Sequence, residues 1–467
     1  MKKVFLVLVT GLIYLGAGAQ FFPDYGNVKL SEVDLKECEF DKDANAVILV
    51  HEATSDHDER NRLITNHHVR LKILKEPGIG HGNVRILFRS KDHFEMISGV
   101  QGRVYNHDGN SVQFTDLERK AVFTKNVNKY WSEVVFAFPR VQVGSIIEYV
   151  YQSTMEHYGG LDDWKFQEEL PVLKSKYSLV VIPNYEFAYK VQKVESYPIK
   201  IDRDKSSGRI VFEMNNLPAL VDEPYMDARK DYVQRAVFQL SGYTGSFSKK
   251  YSTTWNELVR ELSLNESFGS QLGKNLSGTE DFIKVAKLEQ SQTKRLYMVY
   301  NYVRSNMSSN GFSGIYSTDG IKSAWAKKSG HTGELNLILA NLLKEAGFDA
   351  SPLLVSERSN GRVNPAYPFM DQFNGVFVYV IADGRKYYLD AADKFTPPHI
   401  IPNDILNTNA LVVNRKTGGL ISIADDSFEY KDNLSLNCRL NAEGVLSGEA
   451  FASSSDYART RRIGNYL

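Results

Sequence analysis

Residues 327–348 read KKSGHTGELNLILANLLKEAGF, and the reading of this stretch decides the fold. Leu335, Ile338, Leu339, Leu342, Leu343 and Ala346 recur at the spacing of one helical face. Gly347 follows the last of them, where a left-handed C-cap belongs. Ser329, Gly330 and Thr332 supply small capping residues ahead of it. The spacing therefore predicts a helix entered through a tight turn and opening near Thr332. A helix N-terminus favours negative charge, a thiolate or an oxyanion, yet no cysteine lies in this stretch.

Outward from this helix the pattern changes on both sides. Downstream, Ser351 to Ser356, Phe373 to Ile381 and Lys386 to Asp390 read as strands, the last two joined by a tight turn at Asp383-Gly384. Upstream, Thr254 and Glu257 have the spacing of a capping box, and 281–287 and 293–307 carry helical periodicity. Helices followed by antiparallel strands predict an α+β domain over 251–415. Residues 28–240 read instead as strands and turns, a β-sandwich-like domain, with 46–51, 67–74, 84–88, 102–105, 134–138 and 145–151 as examples. Pro-punctuated residues 215–250 look like a connecting segment. From 425 to 467 a further β pattern begins, 434–440 and 445–452 across a turn at Asn441 to Gly444, and reads as a β-domain cut short.

The order of helix N-terminus, central strand and acid-ending strand resembles the transglutaminase-like superfamily, a papain-related fold. The upstream block Pro139-Arg-Val-Gln-Val-Gly-Ser-Ile-Ile-Glu-Tyr149 resembles a domain of unknown function that precedes such domains in bacterial proteins of Bacteroidetes type. The resemblance covers roughly residues 30–415. It implies a Cys at the helix start, a His at the next strand and an Asp after a hairpin. Gly330-His-Thr-Gly-Glu334 puts Thr332 in the nucleophile position and Glu334 in an acidic one. Phe373-Asn-Gly-Val-Phe-Val378 puts Gly375 where the His belongs, and Tyr387-Tyr-Leu-Asp390 keeps the acid. A threonine hydroxyl is far less acidic than a thiol and needs an adjacent base. Loss of a general base alone costs about 10²–10⁴-fold in rate. His331 neighbours Thr332 in sequence, but adjacent residues at a helix start point in different directions. Thr332 is then expected to be a helix N-cap, and Asp390 a hydrogen-bonded strand-end carboxylate.

The implied function is a catalytically degenerate transglutaminase-like domain whose residual cleft holds a peptide, protein or glycan, with His331, Glu334 and Asn374 as ligand candidates. The alternative is an active hydrolase, peptidase or acyl-transferase using Thr332. A third reading is a structural assembly component whose cleft its own side chains fill.

Composition narrows the rest. A chain of 467 residues holds two or three domains. Its 56 basic and 56 acidic side chains cancel, which removes any global pull toward nucleic acid. Lys2 and Lys3, the apolar run Val4 to Leu15, and Ala17-Gly18-Ala19 read as a bacterial signal peptide over 1–19, cleaved before Gln20. The run is shorter than the ~20 residues a membrane span needs, and no second span follows. A periplasmic or envelope location is expected. Cys38 and Cys438 are the only cysteines; they are expected as two unpaired buried thiols, with one disulfide as the alternative. No cofactor and no metal site is expected. The run His51, Asp56, His57, Asp58, Glu59 reads as a solvated loop rather than a metal cluster, and His67 and His68 face opposite sides of one strand.

Overall fold

The computed structural model describes residues 22–466 apart from 110, 129, 158–160, 245–247 and 251–253; the expected signal segment 1–19 lies outside them. The chain divides into two compact units, Met1–Pro224 with Tyr232–Tyr251, and Tyr225–Asp231 with Ser252–Leu467.

Apart from short helical turns, one of them Leu30–Val33 (α1), the first unit is built of strands: β1 (Ala46–His57), β2 (Leu63–Ile73), β3 (Asn83–Phe88), β4 (Glu95–His107), β5 (Val112–Asp116), β6 (Phe123–Asn126), β7 (Ser132–Ala137), β8 (Ile146–Met155), β9 (Trp164–Lys165), β10 (Val172–Val180), β11 (Tyr185–Gln192), β12 (Lys200–Asp204), β13 (Arg209–Leu217), β14 (Arg235–Tyr243) and β15 (Lys249–Lys250). Eight of them form a sheet in the order β12-β13-β10-β1-β2-β8-β4-β5, parallel between β1 and β10. A sheet of β11, β14, β15 and β9 and a three-stranded sheet β3-β7-β6 accompany it. One core draws on all three sheets: Ala53, Leu71 and Ile147 from the large sheet, Phe136 from the three-stranded one, Phe238 from β14. The opposite face of the large sheet buries Val47, Leu49, Tyr105 and Ile146 with Cys38 and, less deeply, Val28 and Val33.

That second face carries a charged network centred on the buried His68, Arg70 and Glu148. Glu148, fully buried, accepts from His68 Nε2 at 2.8 Å, Arg70 Nε at 2.9 Å, Tyr105 OH at 2.8 Å and the Gly26 amide at 3.0 Å. His68 reaches Glu52 with Nδ1 at 2.8 Å, and Arg70 reaches Glu32 at 3.0 Å. Burial alone would neutralise these groups, but each charge faces an opposite one, so the network stays ionised and ties residues 24–33 down on the sheet.

Three expectations change here. Residues 215–250 are not merely a connection, because β14 pairs along its length with β11; the prolines at 218 and 224 hid the strand that follows them. The run from His51 belongs to β1 as far as His57, not to a loop, and no three metal-ligating side chains gather among the described residues. Cys38 is buried but Cys438 is only partly so, and both are free thiols.

The second unit starts with helices α2 (Trp255–Leu264), α3 (Glu280–Leu288) and α4 (Gln292–Asn306), then the short strand β16 (Ser308–Ser309), α5 (Ile321–Lys327), β17 (Ser329–Gly330) and α6 (Thr332–Glu345). Thr254 and Glu257 form the capping box that opens α2. Strands β18 (Ser351–Val355), β19 (Gly375–Ala382), β20 (Arg385–Leu389), β21 (Thr408–Val412) and β22 (Gly419–Ile423) make an antiparallel sheet in the order β20-β19-β18-β21-β22. The turn between β19 and β20 holds Asp383 and Gly384 at positive φ, the backbone of a two-residue hairpin. A hairpin, β23 (Tyr430–Leu440) with β24 (Leu446–Ser455), and a helix α7 (Asp456–Tyr466) complete the unit. Periodicity alone predicts neither α5 nor α7.

Helix α6 is the centre of this unit. Its periodic positions are all 0% exposed, but so are Leu337, Ala340, Asn336 and Asn341 on its other sides. The helix is enclosed by α4, α5 and β19 rather than lying on a surface, and Gly347 ends it at φ 94°. No described helix is long and apolar enough to cross a membrane.

Candidate functional site

The start of α6 is capped by His331, not by Thr332. His331 Nδ1 accepts the Gly333 amide at 3.1 Å, and its Nε2 donates to the Tyr316 carbonyl at 3.0 Å. Glu334 closes the capping box: its Oε2 accepts the His331 amide at 3.1 Å. Its other oxygen accepts Ser317 Oγ at 3.1 Å and the Thr318 amide at 2.9 Å. Small hydroxyl residues are the usual caps, which is why Thr332 looked the better choice; an imidazole with its acceptor nitrogen inward does the same work.

Residues 312–318 lie across this helix end. The Thr332 amide donates to the Phe312 carbonyl at 3.1 Å. A side chain at Gly333 would strike the Gly314 carbonyl, 2.1 Å from an ideal Cβ, so glycine alone permits this crossing. Amides that would otherwise face a developing negative charge are thus already paired. Thr332 itself is half-buried, and its hydroxyl has no hydrogen-bond partner among the described residues.

Asp390 follows β20 and meets α6 through Asn336. Asn336 Nδ2 donates to Asp390 Oδ1 at 2.7 Å and to the Val376 carbonyl at 2.8 Å, and its Oδ1 accepts the Ala391 amide at 2.7 Å. One fully buried amide therefore joins α6, β19 and the end of β20. The Ala392 amide also donates to Asp390 Oδ1 at 2.9 Å. Burial pushes the Asp390 carboxyl above the ordinary range, against the Asn336 bond that pulls it down.

At Gly375, opposite Val355 in the sheet, an ideal Cβ would lie 3.0 Å from Val355 Cγ2 and 3.6 Å from Glu357 Oε1. A carboxylate thus stands beside the position the resemblance reserves for an imidazole. Asn374 holds it: Asn374 Nδ2 donates to Glu357 Oε2 at 2.9 Å while Asn374 Oδ1 accepts the Glu357 amide at 2.8 Å. Burial raises the Glu357 carboxyl, and the negative Asp404 and Asp390 raise it further.

The arrangement gathers the candidates in three groups: His331 with Glu334 at the helix end, Asn374 with Glu357 beside Gly375, and Asp390 on Asn336. Both His331 nitrogens are occupied, so that ring is not aimed at Thr332. Asn336 and Glu357 were missed from the sequence. An asparagine amid an apolar helical run was the available signal for the first; nothing local marked the second.

Residues 59–221 match the family model described as "Domain of Unknown Function with solved-structure structure", DUF3857. No curated protein matches the chain. Among solved structures, a "putative protease" from Parabacteroides distasonis is similar with a TM-score of 0.59 at 15% identity, over 81% of this chain and 72% of that one. A structure described as a TGase aligns over 49% of this chain and 54% of its own, with a TM-score of 0.20 at 8% identity. A "putative cysteine protease" from Cytophaga hutchinsonii aligns over 63% of this chain and 89% of its own, with a TM-score of 0.21 at 10% identity. At such identities the first shares a fold with this chain, and the scores of the other two carry no weight.

Proposed function

We propose that the second unit is a transglutaminase-like scaffold that has lost its proton-transfer pair and serves as a binding module for an extended peptide or glycan. The protein is placed by this reading in the periplasm or cell envelope, delivered by the signal segment 1–19, with the sandwich-like first unit as a docking module.

The observation that carries the reading is the state of Thr332. Its hydroxyl has no hydrogen-bonded base among the described residues, its amide is bonded to Phe312, and the neighbouring His331 has both nitrogens engaged. A hydroxyl nucleophile without an adjacent base is weak. Gly375 brings no side chain to replace one. Asn374 and Glu357, both half-buried and bonded to each other, are the polar pair that stands beside Gly375.

A second reading, hydrolysis or acyl transfer from Thr332, draws on the free, half-exposed hydroxyl and on the Glu357 carboxyl beside Gly375. One experiment separates them: an amidase and transamidase screen of purified protein, with Thr332→Ala as control. The binding reading expects no turnover from either protein. Turnover abolished by Thr332→Ala overturns it.

A further inference from the structure

Residues 22–34 cross the second face of the large sheet, and charge holds them there more than apolar burial does. Of their side chains only Phe22 is buried. Helix α1 buries none of its residues, and Leu30 stands 76% exposed. The anchors are hydrogen bonds to ionised groups. Arg70 Nη2 donates to the Asp24 carbonyl at 2.6 Å and Arg70 Nη1 to Glu32 Oε2 at 3.0 Å. Lys72 Nζ donates to the Val33 carbonyl at 2.7 Å, and Glu148 Oε2 accepts the Gly26 amide at 3.0 Å. Phe22 and Tyr25 lie against the His68 ring, with centroids 5.2 Å and 6.0 Å away.

We propose that residues 22–34 are a strap locked by the second proton of His68 and released when that proton leaves. The geometry of the ring carries the inference. His68 is fully buried, and each of its nitrogens lies 2.8 Å from a carboxylate, Nδ1 from Glu52 and Nε2 from Glu148. Only the imidazolium form has an N–H on both nitrogens, so only that form satisfies both carboxylates. Losing the proton sets one carboxylate against a lone pair. That carboxylate then has to move or take up a proton itself. Glu148 is central to the strap: it holds Gly26 directly, and it orients the Arg70 that holds Asp24 and Glu32. A segment with so few buried apolar contacts opens at lower cost than the sheet beneath it.

The surrounding charges are spread over several elements. Glu148 on β8 also takes Tyr105 from β4, and Glu52 on β1 feels Lys174 and Lys176 of β10. Arg103 and Asp116 act on Tyr25, and Asp34 acts on Lys72. The bonds to Glu148 and Glu52 raise the His68 pKa against the opposing effect of burial. The strap is therefore locked below about pH 6.5 and comes free as pH rises through the raised value. Release bares His68 and Arg70 beside the apolar cluster on which Val28 and Val33 pack.

The test is amide hydrogen exchange of the full chain, read by mass spectrometry as protection factors from about pH 6 to about pH 9.5, with circular dichroism at each pH. In the wild type, peptides spanning 22–34 are expected to lose protection by about ten-fold or more while β1, β2 and β8 keep theirs. Glu52→Gln is the decisive variant. Its amide can donate to Nδ1 of a neutral ring whose Nε2–H still serves Glu148, so the strap is expected to stay protected over the whole range. His68→Gln is expected to leave the strap open at every pH; if it fails to fold, Glu52→Gln carries the test. A step that persists in Glu52→Gln assigns the opening to another group, Lys72 first, and overturns the proposal. Wild-type protection unchanged across the range, or a loss shared equally by strap and sheet, overturns it as well.

Discussion

Replacing Asn336 by alanine tests whether the site is held by one amide. The change removes the bonds to Val376, Ala391 and Asp390, all of 2.8 Å or shorter. Val376 is 1% and Ala391 0% exposed, so their carbonyl and amide lose a partner with no water to replace it. Each orphaned group costs about 1–3 kcal/mol. With the hydrogen bond lost from Asp390, the total should reach roughly 3–5 kcal/mol, a large part of a domain's stability. Thr332→Ala, a few residues earlier, removes a hydroxyl with no partner and should change stability by less than about 0.5 kcal/mol. Urea unfolding followed by far-ultraviolet circular dichroism reads both variants, fitted as two transitions for the two units. A loss below about 1 kcal/mol for Asn336→Ala would refute the reasoning, since the amide would then be replaceable.

Other outcomes follow from the same geometry. His68→Gln should cost about 3–5 kcal/mol by breaking a buried ion pair on two sides. The His68 pKa is raised, by its bonds to Glu148 and Glu52 against the opposing effect of burial, so its contribution is complete below about pH 6.5 and fades as pH rises through its folded value. The carboxyls of Glu148 and Glu52 are lowered by the same bonds, so theirs is present above about pH 4.5 and fades on acidification. The difference in melting temperature between wild type and His68→Gln should therefore be greatest at about pH 4.5–6.5. His331→Ala should cost about 1–2 kcal/mol in a thermal melt, with His331→Asp recovering most of it, because both the lost bond and its rescue are those of an N-cap. A thiol reagent should modify Cys438 in the native protein and reach Cys38 only after unfolding, since Cys38 is 1% exposed.

The apolar spacing from Leu335 to Ala346 was enough to place α6 and its C-cap, because helix periodicity is a local signal. That α6 is buried on every side from Gly333 to Leu343 was less legible. Asn336 and Asn341 look like surface residues by composition, and only the fold brings the Val376 carbonyl to one and the Gly273 amide, at 2.6 Å, to the other. The alternation of β1 and β8 was readable, yet β14 was not, since its identity as a strand comes from pairing with β11 some fifty residues earlier. Residues 225–231 group with the second unit through Asp227, which Arg358 meets at 3.0 Å and Arg362 at 2.5 Å. Nothing near Asp227 in sequence announces those partners. At the site, the positions of Thr332, Gly375 and Asp390 could be marked along the chain, but the cap at His331 and the carboxylate of Glu357 beside Gly375 depend on residues brought from elsewhere.

A purely binding role for the second unit requires Thr332 to be chemically idle. Intact-protein mass spectrometry after incubation with an activated acyl ester measures this directly. No acyl adduct mapping to residue 332 is expected, and no difference between wild type and Thr332→Ala. A stoichiometric adduct on Thr332, absent from the alanine variant and turned over with time, would contradict it.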